Sequence, residues 1–426
     1  MNDLVWLASL ALFALAGLVT WRLAEIRRLD RGARASVALT CGLVFGAVLM
    51  YAESVAGIPW SRLTLGLPLL IIGAAAFRRT PAAAPFEPAR WPPLPAAAFA
   101  AVALVAFHAA ATARMTIGDL LLFWGPKARH FFHERAIDVA FLKFPHYYLM
   151  HPDYPPLVPL TWAGSSIVVG SFSYWGAVYT TPVVLLAAAL AFRGFAAGTL
   201  GARKSAAFAT LLLTLLVFTA VAANTAGGGD PYLVLFETVA LSALTFSDTR
   251  AARIVAATAL AGAALTKIEG AAFVAAMALS LIAVRRWRTA AAVSIPAAAL
   301  VGSWVGFANH HGLLDGYARA ERQLHLGNVG LVLGTAARRL GYGAFYLPWI
   351  AALATLVASR TLRRAALPLL VGVLSIAYSL YFYLNEPDPA WWIRASVERV
   401  MITPLMCFVV ASAACHPELV NGAGRR

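Results

Sequence analysis

The sequence predicts an all-α protein: a polytopic transmembrane helix bundle of about 13 spans with a large extracytoplasmic loop carrying juxtamembrane helices. Three observations predict it. Of 426 residues, 61% are hydrophobic and only 12% charged, against about 25% charged in a soluble domain. The apolar residues fall in runs of 15 to 22, uniform rather than alternating, so in lipid their backbones must be satisfied as helices and not as barrel strands. Basic residues stand in short clusters between the runs, as orientation signals do. That placement also sets aside nucleic acid as the reason for the formal charge of +15.

Taken in order, the spans read as 4–23, 35–52, 62–77, 94–113, 174–193, 205–223, 231–247, 252–266, 270–284, 289–308, 341–358, 365–384 and 400–414. The first run has no basic residues before it and Arg27 and Arg28 after it, which predicts a retained span with its N-terminus outside. The proline-rich stretch 80–95, TPAAAPFEPARWPPLP, reads as a stiff inside linker. It divides 1–93, N-terminal helices and linker, from 94–426, a catalytic body with outer loop 114–159. Clusters at 27–34, 78–90, 193–204, 250–253, 285–288, 360–364 and 425–426 all fall inside only if the apolar run Pro156 to Gly170 does not cross. That run is therefore expected as a half-inserted, re-entrant or interfacial helix, started by Pro155 and Pro156 and ended by GSFSYW at 170–175. Inside loops then hold 20 Lys/Arg and 5 acids, outside loops 13 of each. The outer face is near charge balance, so its charges need an explanation other than topology.

The outer loop RMTIGDLLLFWGPKARHFFHERAIDVAFLKFPHYYLMHPDYPPLVP concentrates the polar residues. Asp119 ends an apolar span, where a carboxylate must meet an interface or a hydrated cleft. It is a candidate general base, or a simple interfacial stop. Lys127 and Arg129 follow on what reads as an amphipathic membrane-surface helix, as anion ligands or as snorkelling side chains. In HPDYPPL, His151, Asp153 and Tyr154 precede two prolines that fix an extended bend. Asp153 is expected to pair with Asp119 as a second catalytic carboxylate. A zinc site from His130, His133, His151 and Asp153 has no supporting spacing.

Further along, GGGDPYL at 227–233 offers glycines for close backbone approach to a ligand, and Asp230 as an N-cap with Pro231 at N1. LTKIEG places Lys267 and Glu269 in a near-absent loop, as a structural pair or as a phosphate-binding lysine oriented by Glu269. Tyr317, Arg319, Arg322 and His325 are candidates for the acceptor side. Arg394 and Glu398, four residues apart, share a helix face, and Arg399 at a span entrance is an anion-site candidate. The three cysteines have no metal-ligand or CxxC spacing.

Acids and cations at the outer rim of a helical membrane body suit glycosyl transfer from a membrane-borne sugar donor. In order and spacing over about 94–415, the pieces GDLLLFWGPKA, HPDYPPL, GGGDPYL, LTKIEG and SVERVMITPL resemble the GT-C superfamily of polytopic glycosyltransferases. The likeness is to the branch of the aminoarabinose, protein O-mannosyl and rhizobial lipopolysaccharide transferases. The resemblance implies a polyprenyl-phosphate-linked sugar donor, an extracytoplasmic lipid, glycan or protein acceptor, and Asp119 as the base. No cofactor is implied, although a divalent cation is compatible. Alanine-rich, arginine-over-lysine usage suits a high-GC bacterium, hence an inner membrane with the site facing the periplasm. The rival expectations are an envelope glycolipid transporter or flippase, and a glycan ligase with a diphosphate-linked donor.

Overall fold

The computed structural model describes residues 2–76, 91–113, 118–144, 151–314, 324–341, 346–357 and 362–416, and among these every regular element is helical. Helix α1, Asn2–Gly17, runs through a 3-10 turn and the short α2, Ala24–Arg27, into α3, Arg31–Val55. Asp30 caps α3, its side chain accepting from the Ala33 amide at 3.0 Å. Small residues let α1 and α3 touch backbone to backbone. A Cβ at Gly42 would lie 1.8 Å from the Phe13 carbonyl oxygen, and one at Gly46 would lie 2.3 Å from the Phe13 ring. The four-residue spacing of these glycines is the small-xxx-small pattern by which membrane helices pack closely. Next come α4, Arg62–Ala75, opened by a Ser61/Thr64 capping box, and α5, Pro93–Thr112.

A π-helical turn, Leu120–Trp124, leads directly into α6, Gly125–Glu134, and the one-turn α7, Val139–Leu142. Helix α6 is amphipathic: Lys127, Ala128 and Phe131 are buried, while Arg129, His133 and Glu134 are exposed. Helix α8, Leu157–Val169, starts after the proline pair and stops at Gly170, φ +93°. Its 13 residues span roughly 20 Å, short of a ~30 Å hydrocarbon core. It is buried from Leu157 through Ile167, so it lies inserted among the other helices and not along the interface. Trp162 Nε1 donates to the Tyr232 hydroxyl at 2.9 Å, and Trp6 Nε1 to Ser166 Oγ at 3.1 Å.

Helix α9, Tyr174–Ala222, is continuous in hydrogen bonding but broken at Gly201, with φ +72° and ψ 172°. The break folds it back on itself. Residues 181–185 face 217–221 across one cavity, and the Gly227 amide reaches Thr181 Oγ1 at 2.9 Å. The two spans expected at 174–193 and 205–223 are thus the arms of one hairpin. Helix α10, Asp230–Phe246, is buried on every side through Leu244 and forms the centre of the bundle. Around it stand α11, Arg250–Thr266, α12, Ile268–Ala283, and α13, Trp287–His310. The last elements are α14, Val329–Gly341, α15, Tyr346–Val357, α16, Ala366–Leu384, α17, Pro389–Val400, and α18, Ile402–Ala414.

Among the described residues, six helices are long and apolar enough to cross a membrane: Arg31–Val55, Pro93–Thr112, Tyr174–Ala222, Trp287–His310, Leu362–Leu384 and Pro389–Ala414. Segment 1–93 shares its core with the rest. Trp6, Phe13 and Val37 belong to the same buried cluster as Phe192, Phe236 and Met406. Arg193, fully buried, pairs with Asp30 and lies over the Trp91 ring, 4.1 Å from its centroid. The clusters at 78–90 and 425–426 lie outside the described residues.

Candidate functional site

Lys267 is the only residue between α11 and α12, held extended at φ −153°, ψ 166°. That break turns its side chain across to the first turn of α10. Its Nζ lies 2.7 Å from Asp230 Oδ1 and 3.4 Å from Glu269 Oε1. Asp230 stands in the first turn of α10, where a carboxylate is favoured by the free amides and the helix dipole. Its other oxygen, Oδ2, is 3.8 Å from Arg399 Nη1, and the same Nη1 pairs with Asp119. The result is one ionic chain, Asp119–Arg399–Asp230–Lys267–Glu269, of three carboxylates and two cations. Asp230 and Lys267 are buried. Stranding either charge by removing its partner would cost about 3–5 kcal/mol.

Behind this chain is an aromatic platform. Lys127 Nζ donates to the His151 carbonyl at 2.7 Å and lies 4.5 Å from the Phe123 ring centroid and 5.6 Å from that of Trp124. His151, in a left-handed conformation at φ +46°, stacks on Tyr154 with centroids 4.7 Å apart. The Asp153 carbonyl accepts from Trp304 Nε1 at 2.8 Å. Burial pulls the Lys127 ammonium down to about 7, with the Asp153 charge opposing that shift. Burial also takes the His151 imidazole down to about 4, reinforced by the charges of Lys127 and Lys267. The glycine loop joins platform to chain: a Cβ at Gly229 would meet Trp124 at 2.9 Å and the Lys267 side chain at 3.1 Å. Gly227, at φ +70°, lies against Leu120.

Asp230, Glu269, Ser375, Ser379, Arg399 and Thr403 line a cleft of about 420 Å³, counted to its open mouth. Asp230 Oδ2, Glu269 Oε2 and Arg399 Nε are buried without a hydrogen-bond partner. Below the cleft, Thr403 Oγ1 donates to Glu237, a carboxyl wholly enclosed in the middle of α10, at 2.6 Å.

The structure therefore gathers Asp119, Asp230, Lys267, Glu269 and Arg399, with Lys127, His151, Asp153 and Tyr154 adjacent. Several expectations change. Asp119 is engaged by Arg399 and not by Asp153, which faces Lys127. Lys127 is buried under the HPDYPP bend, not laid out on the surface, and Arg129 is exposed on the opposite side of α6. Gly229 is the N-cap of α10, so Asp230 is free to pair with Lys267. Lys267 is oriented first by Asp230 and only second by Glu269. The glycines of 227–229 admit protein side chains at close range. Arg394 is exposed, while Glu398 is buried and paired with Arg339 of α14; the two do not act as one face. His130 bonds Asp138 at 3.3 Å and stacks on Phe141, away from His151. Among the described residues no group of three His, Cys, Asp or Glu side chains is arranged to hold a metal. His325 contributes its backbone amide to the Leu384 carbonyl at 2.9 Å, and Tyr317, Arg319 and Arg322 lie outside the described residues.

The α16 wall, Ser375 and Ser379, and the Glu237–Thr403 pair escaped the sequence reading. Two signals were present: an acid at 237 inside an apolar run, and serines four apart in SIAYS. No family model, curated protein or solved structure matches this chain.

Proposed function

We propose that the chain is an inverting glycosyltransferase of GT-C-like architecture, crossing a bacterial inner membrane about thirteen times with its site facing the periplasm. It moves a sugar from a polyprenyl-phosphate-linked donor to an extracytoplasmic lipid, glycan or protein acceptor. The observation that carries this reading is the Asp119–Arg399 pair at the edge of the cleft. The acceptor hydroxyl attacks the anomeric carbon and passes its proton to Asp119. The anomeric C–O bond breaks, and its electron pair leaves on the phosphate. Asp119 loses a negative charge in the same step in which the phosphate gains one, and Arg399 stands to serve both. A guanidinium has five donors in a fixed fork, so Arg399 can hold the leaving phosphate as its bond to Asp119 weakens. A single displacement of this kind inverts the anomeric centre. As written it needs no cofactor; the carboxylates leave a divalent cation compatible with the site. Lys267 serves this reading by holding Asp230 and Glu269, not by binding phosphate itself.

The test is Asp119→Asn in purified protein and in cells. Transfer should fall by roughly 10²–10⁴-fold, the usual contribution of a general base, with donor lipid still bound. Envelope lipids, glycans and proteins profiled with and without the gene should differ by a glycosylated species. Identical profiles, or full transfer by the Asn variant, would remove the enzyme reading. Glycolipid translocation undiminished in that variant would favour the transporter instead.

A further inference from the structure

The cleft between α10, α12, α16 and α18 has a one-sided hydrogen-bonding character. Ser375 Oγ donates its proton to the Val371 carbonyl at 2.9 Å, and Ser379 Oγ donates to the Ser375 carbonyl at 2.8 Å. Thr403 Oγ1 donates to Glu237 at 2.6 Å. Each of these hydroxyls has thereby committed its single proton to the protein and can only accept from a ligand. Glu269 Oε2 and Asp230 Oδ2 are buried acceptors with no hydrogen-bond partner, a condition that is rare in a folded protein without a ligand or water to relieve it. Arg399, at the junction with Asp119, and the Tyr378 hydroxyl, which also lines the cleft, are the groups there that can donate. The carboxylates outnumber the cations along this ionic chain, so a second anion is repelled from the interior.

We infer that this cleft binds a sugar ring through its hydroxyl protons, with Glu269, Ser375 and Ser379 as the residues that select it, and that it excludes phosphate. The donor lipid is then divided at Arg399: the sugar turns inward against acceptors, and the phosphate stays at the lip. A sugar presents several O–H donors at fixed angles, and a wall of acceptors four residues apart on α16 matches such a face. Phosphate at neutral pH is nearly all acceptor and would leave both itself and Glu269 unsatisfied. This inference rests on the glycosyltransferase reading but is measured apart from it.

The experiment is ligand-observed NMR on the full-length protein in nanodiscs, with a panel of methyl hexosides and methyl pentosides as probes and inorganic phosphate as competitor. At least one glycoside should bind saturably, and phosphate should not displace it. Glu269→Gln, which replaces a carboxylate with an amide of the same shape, should weaken that glycoside by roughly tenfold or more. Ser375→Ala/Ser379→Ala, mild enough to fold if the Gln variant does not, should weaken it severalfold. Phosphate displacing the sugar, no saturable glycoside at tens of millimolar, or unchanged binding in the serine variant would each overturn the assignment. If glycosides fail to bind while Asp119→Asn still loses transfer, the sugar pocket falls and the transferase reading stands. If glycosides bind and Asp119→Asn transfers normally, the reverse holds.

Discussion

Lys127 carries a charge into a place built for rings. Its folded-state value near 7 lies below its ordinary 10.5, and that of His151, near 4, lies below 6.5. In both cases burial penalises the protonated form, so the unfolded chain binds more protons over the interval between the two values. Stability therefore rises with pH across about 4 to 6.5 through His151 and again across about 7 to 10.5 through Lys127. The Lys127–His151 carbonyl bond survives deprotonation, because a neutral amine still donates. Thermal unfolding in detergent should accordingly shift upward between pH 7 and 10, and Lys127→Met should flatten that rise. His151→Phe, which keeps a ring against Tyr154, should remove the loss on acidification below 6.5. An unchanged slope in both variants would mean the groups are solvated. This burial was not legible in the sequence. Lys127 and Arg129 are two residues apart and look equivalent on an amphipathic segment, and the phase that buries one and exposes the other follows a π-helical turn just before α6. A π turn advances the helix phase, has no strong composition signature and often marks functional segments.

At the scale of the element, Gly201 is the position where the longest helix becomes a hairpin. Its φ of +72° with ψ of 172° is a conformation essentially confined to glycine. Gly201→Ala should cost about 1–3 kcal/mol and lower the melting temperature, while leaving the cleft chemistry intact if any protein folds. A melting temperature equal to that of the parent would show that the turn tolerates an alternative. The parity of basic clusters had already required a reversal between 193 and 205, and had required that 156–170 not cross. Both inferences used charge, which topology must obey. What parity did not reach was depth. Helix α8 is apolar on all faces because protein surrounds it, and an apolar run gives the same composition whether its neighbours are lipid tails or other helices. The exposed leucines of α4, Leu63, Leu67 and Leu70, look the same in sequence as the enclosed ones of α10.

At the scale of the whole molecule, the charged groups form two sets. Asp230 begins α10, and Asp248 follows its end and bonds Arg286 at 2.8 Å. Phe192 meets Phe246 edge-on, which brings Arg193, Asp30 and Trp91 to the same end as Asp248. The Asp119–Arg399–Lys267 chain is at the other. This separation gives a direct test of orientation. Cys41, Cys407 and Cys415 are buried, so a cysteine added at exposed Glu134 or Arg394 should react with an impermeant maleimide from the periplasmic side. One added at Asp248 should react only after the membrane is opened. Equal labelling of the two sets from one side would defeat the proposed topology. The ionic assembly of Asp119, Arg399, Asp230, Lys267 and Glu269 was largely readable because its five members are charged and stand near helix ends. The serine wall of α16 was not, since serines inside an apolar helix usually satisfy their own backbone and here they do so as well.

The partners Asp119 and Arg399 are 280 residues apart. A ribosome adding about 5–20 residues per second needs roughly 14–56 s to make that stretch. Until Arg399 is made, Asp119 has no counter-ion, and water or lipid headgroups must solvate the acid. The pair therefore closes only after every helix between its members has been synthesised, and a chain stopped short of Arg399 cannot form it.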